Sequence, residues 1–188
     1  QAVIYYNQAA KIKPGDPDTQ LGLASCLWNM NMKENALSII DTLLYNYSDS
    51  GKILADVIYR LIVFGEKEKA LSFISADRDN HLPDSDVLKF RGMLAQQEGK
   101  MKEATNLFKS AFRQNPHDYL TARYLGNILI EEKLWDRAIT HLKRALASFP
   151  NEPYFLERLG TLLVSCPDLK LRDYSEAREF SERAFLHK

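Results

Sequence analysis

The chain has 188 residues, enough for one domain with a core of its own. Apolar residues make up 45% and charged residues 27%, the composition of a soluble globular protein. Lys plus Arg and Asp plus Glu each count 25, and net zero charge argues against a general binder of nucleic acid or of an anionic membrane surface.

No stretch approaches the roughly 18 consecutive apolar residues of a membrane-spanning helix. The longest candidate, residues 57–64, is broken by Tyr59 and Arg60, so direct membrane insertion is not expected. No signal peptide is visible, and the start at Gln1 rather than Met is read as the loss of a leader or an upstream domain. Cys26 and Cys166 are read as small apolar residues rather than a disulfide, and His81, His117, His141 and His187 are scattered without metal-ligand spacing. No cofactor or metal is therefore expected.

In chain order, the first element is half a unit. Ala2, Tyr6, Ala9, Ala10 and Pro14 match only the second helix of the copies that follow. Ala2, Ala36, Ala70, Ala104 and Ala138 then recur at one constant step, and Leu23, Val57, Arg91, Leu125 and Leu159 recur at the same step. Gly65 and Gly99 repeat at that interval too, as do Gly92, Gly126 and Gly160, and Pro116 and Pro150. The best copy runs over residues 119–152 and carries Leu125-Gly126, Trp135, Ala138, Leu142, Ala145 and Pro150. Its predecessor carries Gly92, Gly99, Ala104, Phe108, Ala111 and Pro116. The copies from Pro17 and Gly51 are more degenerate: the first has Ala24 for glycine and Asn31 at a turn, the second Ile58 for the small residue and Asp77 for alanine.

Within the best copy the apolar residues fall at helical intervals. Ala138, Leu142, Ala145, Leu146 and Phe149 make one stripe on a helix spanning Trp135–Ser148, faced by Leu125, Ile128 and Leu129 on the helix before it. Small residues at Gly126, Ala138 and Ala145 let two helix axes approach, and Pro150 stops the second helix. Each hairpin has an apolar face that it can bury only against neighbours. The step from Ala138 to Ala177 is longer than the others by five, an insert that falls between Ser165 and Asp173, with Pro167 ending the first helix.

These motifs, over essentially the whole length, resemble the tetratricopeptide repeat family, whose unit is a helix–turn–helix of about 34 residues. The resemblance implies an all-α fold, a right-handed superhelical α-solenoid of about five and a half repeats. The expected boundaries are a half repeat at residues 1–16 and repeats at 17–50, 51–84, 85–118, 119–152 and 153–188. The insert near Cys166 looks like a variant turn of bacterial arrays, which implies a soluble bacterial protein of cytoplasm or periplasm. The half-unit start and uncapped end imply a piece of a longer protein, or ends that self-associate.

No catalytic constellation is present. Gly99-Lys100 lacks the upstream glycine and following hydroxyl of a phosphate loop and reads as a turn. Asp16, Asp18, Glu131 and Glu132 read as solvated helix ends. Asn46-Tyr47-Ser48 fits a glycosylation triplet too short to carry weight.

In the family that the chain resembles, the first helices of the hairpins line a concave groove for a peptide. Here those helices are expected at about 18–30, 52–64, 86–98, 120–132 and 154–165. Helical spacing from the buried positions puts Leu21, Ser25, Trp28, Tyr59 and Ile62 on the outward stripe of the first two. On the next three it puts Lys89, Met93, Gln96, Arg123, Asn127, Ile130, Tyr154, Glu157 and Thr161. The aromatic members are candidate anchors, and Lys89 with Arg123, one repeat apart, is a candidate holder of a carboxylate. The clamp by which chaperone-binding members hold a carboxyl terminus is incomplete: Arg123 and Asn127 resemble its first element, but Arg158 stands where the next asparagine is needed. The expected function is a protein-interaction scaffold for a peptide or protein segment; the alternative is a non-catalytic structural or oligomerisation appendage of a larger bacterial hydrolase or transferase.

Overall fold

A computed structural model of the chain describes residues 2–47, 49–76 and 81–187. The side chains of residues 2, 3, 7, 9 and 10 are outside that description. The side chains of Ala2, Ala9 and Ala10 of the first half-unit therefore lie outside that description, as do Ser48 of the glycosylation triplet and Asp77 of the second copy altogether. The described residues form eleven α-helices and no strand. They are α1 (Ala2–Ile12), α2 (Pro17–Asn29), α3 (Lys33–Asn46), α4 (Gly51–Phe64), α5 (Lys67–Ala76), α6 (Asp84–Gln97), α7 (Met101–Gln114), α8 (Tyr119–Glu131), α9 (Trp135–Ser148), α10 (Pro153–Ser165) and α11 (Tyr174–Leu186).

The first helices α2, α4, α8 and α10 each start on a side-chain cap. Asp16 accepts from the Thr19 amide at 2.9 Å to open α2, and Asp118 accepts from the Thr121 amide at 3.0 Å to open α8. Ser50 and Glu152 cap α4 and α10 in the same way, and Pro17 and Pro153 sit where a missing amide hydrogen costs nothing. The second helices α3, α7 and α9 have no side-chain cap bond. They follow a turn that ends the preceding helix instead. Asn31, Gly65, Gly99 and Lys133, one in each successive repeat, have φ of 61°, 84°, 74° and 58°. At each, the next amide bonds back to a carbonyl in the last turn of the helix: Met32 to Leu27, Glu66 to Leu61, Lys100 to Ala95 and Leu134 to Leu129, all at 2.9 Å. This is the Schellman arrangement, which needs one left-handed residue. Gly99-Lys100 is such a turn.

Contacts gather the chain into two compact units, Gln1–Phe90 and Arg91–Lys188, with the boundary inside α6. In the first unit α2 packs on α3 and α4 on α5, around Leu23, Ala24, Ala36, Ile40, Leu54, Val57, Ile58 and Leu61. Gly51, the first residue of α4, lies so close to the His81 carbonyl that a Cβ there would be 2.0 Å from its oxygen.

In the second unit α8 packs on α9 and α10 on α11. The alanines of the period, Ala104, Ala138 and Ala177, are at most 1% exposed, as Ala36 and Ala70 are in the first unit. Glycines take the facing positions: a Cβ on Gly92 would meet the Phe108 ring at 3.0 Å, and one on Gly126 would meet Leu142 at 3.3 Å. Such pairs let the two helices of a hairpin close on each other, and the larger Leu125, Ile128, Leu142 and Phe155 fill the rest. The insert folds into a 3-10 turn, Leu169–Leu171, capped by Asp168 and tied down by Arg172, whose Nε donates to the Cys166 carbonyl at 2.8 Å. Cys166 is buried and Cys26 half-buried, and both are free thiols. Glu131 and Glu132 are exposed at the end of α8, so only Asp16 and Asp18 have the favourable charge for a helix start.

Candidate functional site

In the first unit the outward stripe is largely core. Leu21 is 3% exposed and Ile62 is 0% exposed, so neither offers surface to a ligand. The reason is that α2 and α4 each pack on more than one helix: α4 contacts α2, α3 and α5, which buries Leu54, Val57, Ile58, Leu61 and Ile62 around more than one face. Ser25 turns its hydroxyl back onto the Leu21 carbonyl at 2.9 Å. Trp28 is half-buried and stacks on Phe64 with ring centres 4.3 Å apart, and the Lys33 ammonium lies 5.0 Å from its ring. Tyr59 is half-exposed, with the Arg60 guanidinium 5.4 Å from its ring. Lys89 is buried and bonded to Asp86 one turn back at 2.7 Å, so its ammonium serves its own helix rather than a free surface. Nearby, burial holds the Asp56 carboxyl above the ordinary carboxylate range, against the pull of Lys52 and Arg60.

In the second unit Met93 is 4% exposed and belongs to the core, because Gly92 beside it brings α6 against Phe108 of α7. Gln96 and Ile130 are half-buried. The remaining expected residues come together on α8 and α10. The Tyr154 hydroxyl donates to Asn127 Oδ1 across the two helices. The Arg123 guanidinium lies 5.0 Å from the Tyr154 ring, and that of Arg158 lies 5.6 Å from the same ring. Both arginines, Glu157 and Thr161 are exposed.

Two residues outside the expected set complete this surface. Tyr119, one turn before Arg123, meets Tyr154 edge to face at 6.4 Å and Phe155 at 5.5 Å. Burial first, and the Glu152 carboxylate second, push the Tyr119 hydroxyl above the usual phenol range. Arg158 is the other. The signal for both was spacing: Tyr119 is i−4 from Arg123, and Arg158 is i+4 from Tyr154. The result is a half-exposed aromatic between two cations, held in place by an amide. Such a surface can stack an apolar or planar group and pair a carboxylate with a guanidinium.

Among the described residues no three His, Cys, Asp or Glu side chains stand together as a metal site, and no helix is long and apolar enough to cross a membrane.

Two tetratricopeptide repeat models match the chain, one over residues 95–158 and one over residues 18–50. No curated protein matches it by sequence. Among solved structures it is similar to YrrB, a TPR protein with an unusual peptide-binding site, at 17% identity and TM-score 0.53 over 97% of this chain and 92% of YrrB. It is similar to the human IFIT1 dimer with m7Gppp-AAAA at 15% identity and TM-score 0.63, covering 97% of this chain and 44% of IFIT1. MamA is similar at 12% identity and TM-score 0.57 over 91% of each chain. With its hairpins, its left-handed turns in four successive repeats and both repeat models matching, the chain belongs to the tetratricopeptide repeat family.

Proposed function

We propose that the chain is a protein-interaction scaffold, and that the exposed face of α8 and α10 holds a peptide or protein segment. The observation that carries this is Tyr154, flanked by Arg123 and Arg158 and hydrogen-bonded to Asn127. Aromatic and arginine side chains that are already ordered lose little freedom on binding, which is why such residues dominate interface energies. The peptide-binding site of YrrB, a protein of the same fold, supports a peptide as the ligand class. A carboxylate of the partner pairs with the two guanidinium groups, and an apolar side chain lies against the tyrosine.

The test is affinity capture with the whole chain, wild type against Arg123→Glu/Arg158→Glu, with bound species identified by mass spectrometry. A partner retained by the wild type and lost on charge reversal supports the reading. Partners that bind both forms equally, or an RNA retained in their place, reject it.

A second reading is a structural appendage that packs on another segment or chain. It is favoured by the apolar side chains exposed on the first and last helices: Ile4, Tyr5 and Ile12 on α1, and Phe185 and Leu186 on α11, are all at least 60% exposed.

A further inference from the structure

The second unit carries a pocket on a face that the proposed surface does not use. It has a volume of about 400 Å³ and lies among α7, α8 and α9. From α8 it takes Leu125 and Leu129, which are half a helical turn away from Arg123 and Asn127 and so point the other way. Phe112 joins them to make an apolar floor, and the Arg144 guanidinium stands 5.7 Å from the Phe112 ring.

The rim is basic. Lys109 and Arg113 on α7, and Arg137 and Arg144 on α9, border the pocket, against the single carboxylate of Asp136. All four are exposed, and none forms an ion pair among the described residues. In a chain of zero net charge this local excess of positive charge is a departure from the average. Four cations around one concavity repel one another, and an anion placed there relieves that repulsion. The His141 imidazole in the wall adds no charge, because its burial favours the neutral ring and outweighs the opposing effect of the 2.7 Å bond between its Nε2 and the Ala122 carbonyl.

We infer that this pocket is a second binding site, for an acidic peptide segment with one apolar side chain between its carboxylates. The apolar group enters over Phe112, Leu125 and Leu129, with the aliphatic stems of Lys109 and Arg137 as walls. The flanking carboxylates meet the guanidinium groups of Arg113 and Arg137, while that of Arg144 stays by the Phe112 ring. A peptide fits better than a nucleic acid, because the cations ring a hollow with an apolar floor rather than forming a stripe that tracks a phosphate backbone.

The experiment selects a displayed library of short random peptides on the whole wild-type chain, with counter-selection on Arg113→Glu/Arg137→Glu. The enriched peptide is then synthesised with a fluorophore and titrated by anisotropy. The expected peptides have Asp or Glu on both sides of an apolar residue, and their affinity falls about tenfold or more on charge reversal, as for close charge pairs at interfaces. Raising the salt weakens them, and Arg123→Glu/Arg158→Glu leaves them unchanged, which separates this site from the surface on α8 and α10. Circular dichroism confirms the fold, and Arg113→Gln/Arg137→Gln, which removes charge without inverting it, is read if the glutamates disturb it. No enrichment, enrichment of uncharged peptides, or binding indifferent to both variants overturns the proposal. So does a single-stranded RNA oligomer that outcompetes the peptide for the same arginines.

Discussion

Lys133 adopts the left-handed backbone that Gly99 adopts one repeat earlier, with φ of 58° against 74°. The two residues end α8 and α6 with the same back-reaching amide bond. Lysine has a Cβ, and the left-handed region costs a residue with a side chain about 1–2 kcal/mol. Glycine gives back about 0.4–1 kcal/mol through the freedom of the unfolded chain. Lys133→Gly is therefore expected to stabilise the protein by a net ~0.5–1 kcal/mol, read as a higher urea midpoint. Gly99→Lys is expected to lower it. A midpoint that falls for Lys133→Gly would show that the lysine is not strained there.

His141 makes stability depend on pH. Burial, followed by the charge of Arg144, holds its imidazole below the ordinary value of about 6.5, while the bond to Ala122 acts the other way. The unfolded chain takes up a proton near its ordinary value and the folded chain only at lower pH. The contribution is therefore fully present above about pH 6.5 and is lost as pH falls towards the lowered folded value. Thermal melts between about pH 7.5 and pH 5.5 are expected to show a falling midpoint for the wild type and a smaller fall for His141→Gln. Equal slopes for the two proteins would remove His141 from the account.

Gly51 tests close packing in the first unit. An exposed glycine in a helix usually gains about 1 kcal/mol on replacement by alanine. Here the new Cβ would stand 2.0 Å from the His81 carbonyl oxygen, a backbone atom that can give way only by moving the segment before α6. Gly51→Ala is expected to destabilise by about 1–3 kcal/mol, the usual range for overpacking. An unchanged or higher melting temperature would mean that His81 does not sit there.

Trp28 distinguishes packing from binding. Its ring lies parallel to Phe64, 6° between planes, and is half-buried. Trp28→Ala is expected to cost about 2 kcal/mol, below the ~3–5 kcal/mol of a fully buried aromatic. Tyr59→Ala, at a half-exposed site, is expected to cost ~1 kcal/mol or less. Chemical denaturation of both variants decides it: equal midpoints would return Trp28 to the surface.

The sequence by itself determined the hairpins. Helical periodicity, small residues recurring once per repeat and helix-end residues such as Asp16 act over a few residues, so they are legible without neighbours. The turns at Asn31 and Gly99 were legible for the same reason; the one at Lys133 was not, because lysine carries no turn signal and only the hairpin imposes that conformation on it. Tertiary structure alone decided which side of each first helix stayed exposed. Leu21, Ile62 and Met93 share an outward stripe with Arg123 and Tyr154 by helical spacing, yet they are buried, because the number of helices packed on a helix sets how wide its apolar face must be. The meeting of Arg123 and Arg158 on Tyr154, and of Lys109, Arg113, Arg137 and Arg144 around one hollow, was likewise settled by packing. Charges on different helices interact through distances that only the packed helices create.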